Sequence, residues 1–210
     1  MKDTALYRTD SLDLLLLDYL LELPSTIAQM ASDHAPELFN KPSHGLSKEQ
    51  LIEKLQELAG SGLIEFIYND LGDTTDNLSN AKNVLECLVQ LTEKGGVAWE
   101  IGWKPDWEKY LLVEVNYDSV EAECMTIEAL NVDSLKAIRE ELVYLSLSST
   151  LAQMQPWRAT YWKCFPSGFR LVVKLPNDSV DTLIETEPRK SMLMPKWRDE
   201  PRLDLDMQHV

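Results

Sequence analysis

The sequence predicts an α+β fold. Three observations predict it: leucine-rich segments with helical spacing at 11–30 and 47–59, short runs of β-favouring residues at 63–68, 84–91, 110–117, 123–130, 157–165 and 169–175, and the arrival of those runs in neighbouring pairs joined by polar turns. Paired strands joined by turns make antiparallel hairpins. Parallel strands would need a helical crossover between each pair.

Taken in order, 11–30 opens with Asp10 and Ser11 as capping residues and carries Leu12, Leu15, Leu16, Tyr19, Leu20 and Leu23 on one face, so it reads as a core helix interrupted near Pro24. A polar stretch with Pro36, Pro42 and Gly45 follows. Ser47-Lys48-Glu49-Gln50 then has the form of a capping box, and Leu51, Ile52, Leu55 and Leu58 give the second helix its buried stripe. Gly60 and Gly62 stop that helix. Leu63–Tyr68 and Val84–Leu91 read as two strands of a hairpin whose long tip, Asn69 to Asn83, carries Asp70, Asp73 and Asp76.

Thr92 stands where an N-cap is wanted for a helix over 93–103. Gly95 and Gly96 within it permit close approach of a neighbouring backbone, and Trp99, Trp103 and Trp107 repeat every fourth residue as a packing seam. Beyond Pro105 a second unit begins, with strands at 110–117 and 123–130, and a helix capped by Asp133 or Ser134 runs to about Leu151 on Leu135, Ile138, Leu142 and Leu145. A last hairpin, 157–165 with 169–175, turns at Pro166-Ser167-Gly168, and strand alternation would put Trp157, Ala159, Tyr161 and Lys163 on one face. The expected division is 1–106, 107–178 and an extended tail at 179–210 broken by Pro188, Pro195 and Pro201.

The order helix, helix, strand, acidic loop, strand and then Leu91-Thr92-Glu93-Lys94-Gly95 resembles the winged-helix domain of bacterial regulators of the MarR and PadR type, over residues 11–103. In those families a Leu-Thr-x-x-Gly step follows the wing. The phrase at 91–100, with Tyr161-Trp162-Lys163 and Pro166-x-Gly168, also resembles uncharacterised bacterial proteins of immunity-like type. The winged-helix resemblance implies that helix 47–59 would enter a DNA major groove while the wing touches phosphate. The residues oppose that use. Helix 47–59 sets Lys48 and Lys54 against Glu49, Glu53 and Glu57, and the wing from 69 to 80 has three Asp and neither Lys nor Arg.

Composition points the same way, since 35 acidic side chains against 20 basic ones leave a formal net charge of −15. Such a chain repels nucleic acid and attracts basic protein. Glu49, Glu53, Glu57, Asp70, Asp73 and Asp76 are therefore the expected contacts for a basic protein partner such as a toxin, in the manner of an immunity protein or antitoxin. The alternative is a winged-helix transcriptional regulator. Nucleic acid is not expected as the partner of the acidic surface.

Catalytic signatures are missing from the sequence: it has no phosphate-cradling glycine loop, no Gly-x-Ser-x-Gly elbow and no His-Glu-x-x-His helix. His34 and His44 stand ten apart in a polar stretch, and Asp70, Asp73 and Asp76 lack the Glu that would complete a calcium loop. No catalytic residue, cofactor or metal is assigned, and the expected activity is non-enzymatic. Cys87, Cys124 and Cys164 fit reduced thiols and not a disulfide framework. No run is long enough to span a bilayer and the first ten residues lack a secretory pattern, so the expected compartment is the cytoplasm. The leucines of the first helix could also serve a homodimer seam.

Overall fold

A computed structural model describes residues 11–39, 41–68, 73–75, 78, 83–116, 124–144, 147–175 and 197–198. The protein is α+β, with helices and antiparallel sheets in two units, one comprising Met1–Lys104 with Thr160–Lys163 and the other Pro105–Ala159 with Cys164–Val210. Four residues of the segment that the sequence groups with 107–178 thus belong to the first unit.

The first unit begins with α1 (Ser11–Tyr19), whose Leu15, Leu16, Leu17 and Tyr19 are buried. The helix does not continue to Met30 as its leucine spacing suggests. Chain geometry changes at Pro24, and Ser25–Thr26 form a short strand, β1, while the Thr26 side chain caps α2 (Ile27–Met30). The polar stretch then holds a short helix, α3 (Ala35–Phe39). Ser47 opens α4 (Lys48–Gly60) with a complete capping box: its side chain accepts from the Gln50 N–H and the Gln50 side chain accepts from the Ser47 N–H.

Three strands complete the first sheet: β2 (Ile64–Tyr68), β3 (Asp73–Thr75) and β4 (Leu88–Leu91), in the antiparallel order β1-β4-β2-β3. Two expectations are corrected here. The 69–83 segment is not wholly loop, because Asp73–Thr75 pair in register with Phe66–Tyr68. Val84–Glu86 form a 3-10 turn and not strand, since the Asn83 side chain accepts from the Leu85 N–H and bends the chain before β4.

Helix α5 (Glu93–Trp103) follows, capped by Thr92 as expected. The Thr92 hydroxyl accepts from the Gly95 N–H at 3.0 Å and donates to the Gly62 carbonyl at 2.7 Å, so it ties α5 to the turn that ends α4. Gly95 and Gly96 are close-approach positions: a Cβ on Gly95 would lie 1.8 Å from the Leu63 carbonyl oxygen, and one on Gly96 would lie 2.1 Å from the Trp162 ring. Trp99 is fully buried and stacks on Trp103 at 6.4 Å. The tryptophan row stops there, because Lys104 takes a left-handed conformation (φ 48°) and ends the helix before Trp107.

Residues Thr160–Lys163 complete the first unit. The Tyr161 hydroxyl donates to the Leu20 carbonyl at 2.7 Å and accepts from the Leu91 N–H at 2.6 Å, Trp162 donates its indole N–H to the Leu21 carbonyl at 2.9 Å, and Lys163 pairs with Glu100 at 2.5 Å. These bonds satisfy backbone groups at the ends of α1 and β4. Burial pushes the Tyr161 phenol above its ordinary range, against the Leu91 hydrogen bond that lowers it.

The second unit is a sheet with a helix on one face. Strands β5 (Leu111–Asn116), β6 (Cys124–Ala129), β7 (Ser149–Met154) and β10 (Gly168–Lys174) lie antiparallel in the order β5-β6-β10-β7, with a separate pair formed by β8 (Trp157–Arg158) and β9 (Cys164–Phe165). Helix α6 (Val132–Tyr144) packs Leu135, Ile138 and Leu142 against Met125, Ile127, Ala129, Leu171 and Val173. Each buried Leu, Ile, Val or Met among them contributes about 1.5–3 kcal/mol. On the opposite side of β6, Glu128 is buried beneath an aromatic cluster of Tyr110, Trp157, Trp107, Phe165 and Trp197.

Three expectations change in this unit. The carbonyl of the Asn131 side chain accepts from the Asp133 N–H, so the chain enters α6 earlier than an Asp133 or Ser134 cap implies. Helix α6 spans Val132–Tyr144, and Ser149–Met154 are a strand in register with β10; Leu151, Ala152, Gln153 and Met154 favour helix by propensity, so the pairing with β10 overrides the local preference. The span 157–165 is not one strand hairpinned to 169–175. It folds on itself as β8–β9, whereas β10 pairs with β6 and β7, so the alternating faces expected for 157–164 do not form. Of the 179–210 tail, Trp197 and Arg198 lie among the described residues, and the Trp197 carbonyl accepts from the Asp106 N–H.

Candidate partner-binding surface

Helix α4 is amphipathic because Leu51, Leu55, Leu58 and Ala59 fall on its inner side. The outer side carries Glu49, Glu53 and Glu57, all exposed and four residues apart, which sets them along one flank of the helix. Lys54 is drawn inward, with its ammonium 2.8 Å from Asp13 and 3.1 Å from Glu57. That cation is shared between two carboxylates, so it leaves the flank acidic.

Glu49 stands in the first turn, where the positive end of the helix favours a carboxylate. A hydrogen bond accepted from its own backbone N–H, followed by one from the Ser47 hydroxyl, holds its carboxyl below the usual range. It stays ionised through the neutral range.

The structure therefore places three of the six expected contacts together. Asp73 lies in β3 with its backbone opposite Tyr68, and Asp70 and Asp76 lie outside the described residues.

A second polar grouping was not visible in the sequence. Asp18, on the inner side of α1, is 2% exposed; one carboxylate oxygen accepts from the Trp99 indole N–H at 2.9 Å and the other lies 3.1 Å from the Lys41 ammonium. The only signal in the sequence is an acidic residue directly after Leu14–Leu17 on a helix. Asp18, Tyr19 and Lys41 also line a pocket of about 220 Å³, with Glu22, Leu23 and Leu38 among its other walls.

Two histidines lie among the described residues. His44 accepts from the Leu46 N–H at Nδ1, which leaves Nε2 to donate to the Met30 carbonyl at 3.0 Å, and exposed His34 lies 3.9 Å from Glu37. Among the described residues no group of three or more His, Cys, Asp or Glu side chains is arranged to hold a metal ion, and no helix is long and apolar enough to cross a membrane.

No protein-family model matches the chain, and the searches of curated proteins and of solved structures returned no match.

Proposed function

We propose that this chain is a non-catalytic, cytoplasmic binding protein that neutralises or regulates a basic protein partner, in the manner of an immunity protein or antitoxin. The observation that carries the reading is the outer flank of α4. Glu49, Glu53 and Glu57 are exposed together, and the intervening Lys54 is tied to Asp13 and Glu57. On a chain of net charge −15, such a flank steers a cationic partner and raises its encounter rate. Asp70, Asp73 and Asp76 extend the proposed contact set by charge alone.

The second reading is a winged-helix regulator. It is favoured by the order α1, β1, α2, α3, α4, β2, β3, β4 in the first unit and by a sheet in which β1 and β2 flank β4. In that reading α4 would be the groove-reading helix, and its exposed flank would meet phosphate with like charge.

The test is affinity capture by the full chain from a bacterial lysate at about 0.05 M and about 0.3 M salt, with protein and nucleic acid both analysed. A stoichiometric basic protein released by salt supports the neutralising role. Specific duplex DNA retained at low salt would replace it with the regulator.

A further inference from the structure

The pocket beside Asp18 lies at the carbonyl end of α1 and also receives the end of α3, through Leu38 and Phe39. Its walls are amphipathic. Leu23 and Leu38 are 70% and 57% exposed, and the rings of Tyr19 and Phe39 stand 4.7 Å apart.

Its charges are not equivalent. Asp18 and Lys41 neutralise one another on the buried side, and the second Asp18 oxygen is held by Trp99. Glu22 is exposed and makes no ion pair with any described residue. Among the described lining residues the charge left without an ion pair is thus one carboxylate.

An anion entering here would meet Glu22 and would have to draw Lys41 away from Asp18. A neutral apolar ligand would desolvate Glu22 without compensation. A cation on an apolar stem satisfies both sets of walls, with its stem against the exposed leucines and its head at Glu22. Guanidinium suits this better than ammonium, being planar, weakly hydrated and able to stack on an aromatic face.

We infer that this pocket receives an arginine side chain of the basic protein partner, as an anchor in addition to the acidic flank of α4. The inference rests on the proposed function above and adds the chemistry of one contact. A buried arginine in a fitted pocket is a common carrier of interface affinity.

The probe is N-acetyl-argininamide, titrated into the full chain and followed by the methyl NMR signals of Leu23 and Leu38. Saturable shifts with a Kd on the order of 1–10 mM are expected. The neutral citrulline analogue, and Glu22→Gln with the arginine probe, should each bind about fivefold more weakly. The control Glu140→Gln, which removes an exposed carboxylate on α6, should bind the probe like the parent.

No saturable shift up to about 50 mM, or equal binding of the citrulline analogue, overturns the pocket assignment. If a basic protein is nevertheless captured through α4, the proposed function stands and the pocket assignment alone falls. If the probe binds but no basic protein does, the protein source is overturned in favour of a free organic cation.

Discussion

Trp99 donates its indole N–H to the buried carboxylate of Asp18 at 2.9 Å, joining α5 to α1 alongside a longer contact from the Trp103 indole to the Leu14 carbonyl at 3.5 Å. Lys41 takes the other carboxylate oxygen. The second unit repeats the grouping with different residues. Trp157 donates to Glu128 at 2.8 Å, and Arg170, opposite Glu128 in the strand register, bonds to its other oxygen at 2.6 Å. In each unit an indole and a cation together satisfy a carboxylate that would be expensive to bury alone.

Asp18→Ala should therefore cost about 3–5 kcal/mol, because it strands the Lys41 charge and the Trp99 N–H. Replacing Lys41 by Met in the same chain should recover part of the loss. Urea denaturation of the two variants checks this, and a loss below about 1 kcal/mol for Asp18→Ala would contradict the buried-pair assignment.

Two glycine substitutions should have opposite signs. Gly95→Ala places a methyl 1.8 Å from the Leu63 carbonyl oxygen and should destabilise by about 3 kcal/mol or more, despite the better helix propensity of alanine. Gly60→Ala, at the end of α4 with nothing within 4 Å of the new methyl, should stabilise by about 0.5–1 kcal/mol. Thermal melts of both resolve the difference.

Thr92→Ala should cost about 1–2 kcal/mol, the upper part of the range for a lost cap, since the hydroxyl also donates to Gly62. Thr92→Ser keeps both bonds and should recover most of the stability. Equal stability of Thr92→Ala and the parent in denaturant titration would refute the capping role.

Alkaline pH should weaken the fold through Tyr161. Its phenol is held above its ordinary range by burial first, and also by the Glu65 charge, so the folded chain retains that proton when the unfolded chain has lost it. The contribution is fully present below about pH 10, the unfolded value, and is lost as pH rises beyond it. Tyr19, also raised by burial and by Asp18, acts in the same direction. Tyr161→Phe should be less stable at neutral pH by about 1–3 kcal/mol and should show a shallower decline above pH 10, measured by urea titration across that range.

The α+β class, the α4 capping box, the Thr92 cap and the close-packing glycines were legible because each is written in a few adjacent residues. The departures came from pairings distant in sequence. Leu20–Thr26 leave the helix because Ser25–Thr26 find β4, Ser149–Met154 become strand because β10 lies beside them, and 160–163 leave the expected hairpin because Tyr161 and Trp162 find the carbonyls of Leu20 and Leu21. Glu49, Glu53 and Glu57 were readable as a flank from their spacing of four. The Asp18–Lys41–Trp99 grouping was not, because its members are separated by up to 81 positions and only tertiary packing joins them.

The most direct test of the proposed function is the affinity of the captured basic protein for the parent and for Glu49→Lys/Glu53→Lys/Glu57→Lys, measured by calorimetry at about 0.05 M and about 0.3 M salt. The α4 flank predicts that the parent binds tightly at low salt and more weakly at high salt, and that the variant loses at least about tenfold at low salt while retaining the parent's fold by circular dichroism. Equal affinity of parent and variant at both salt concentrations would contradict a partner held by the acidic flank of α4.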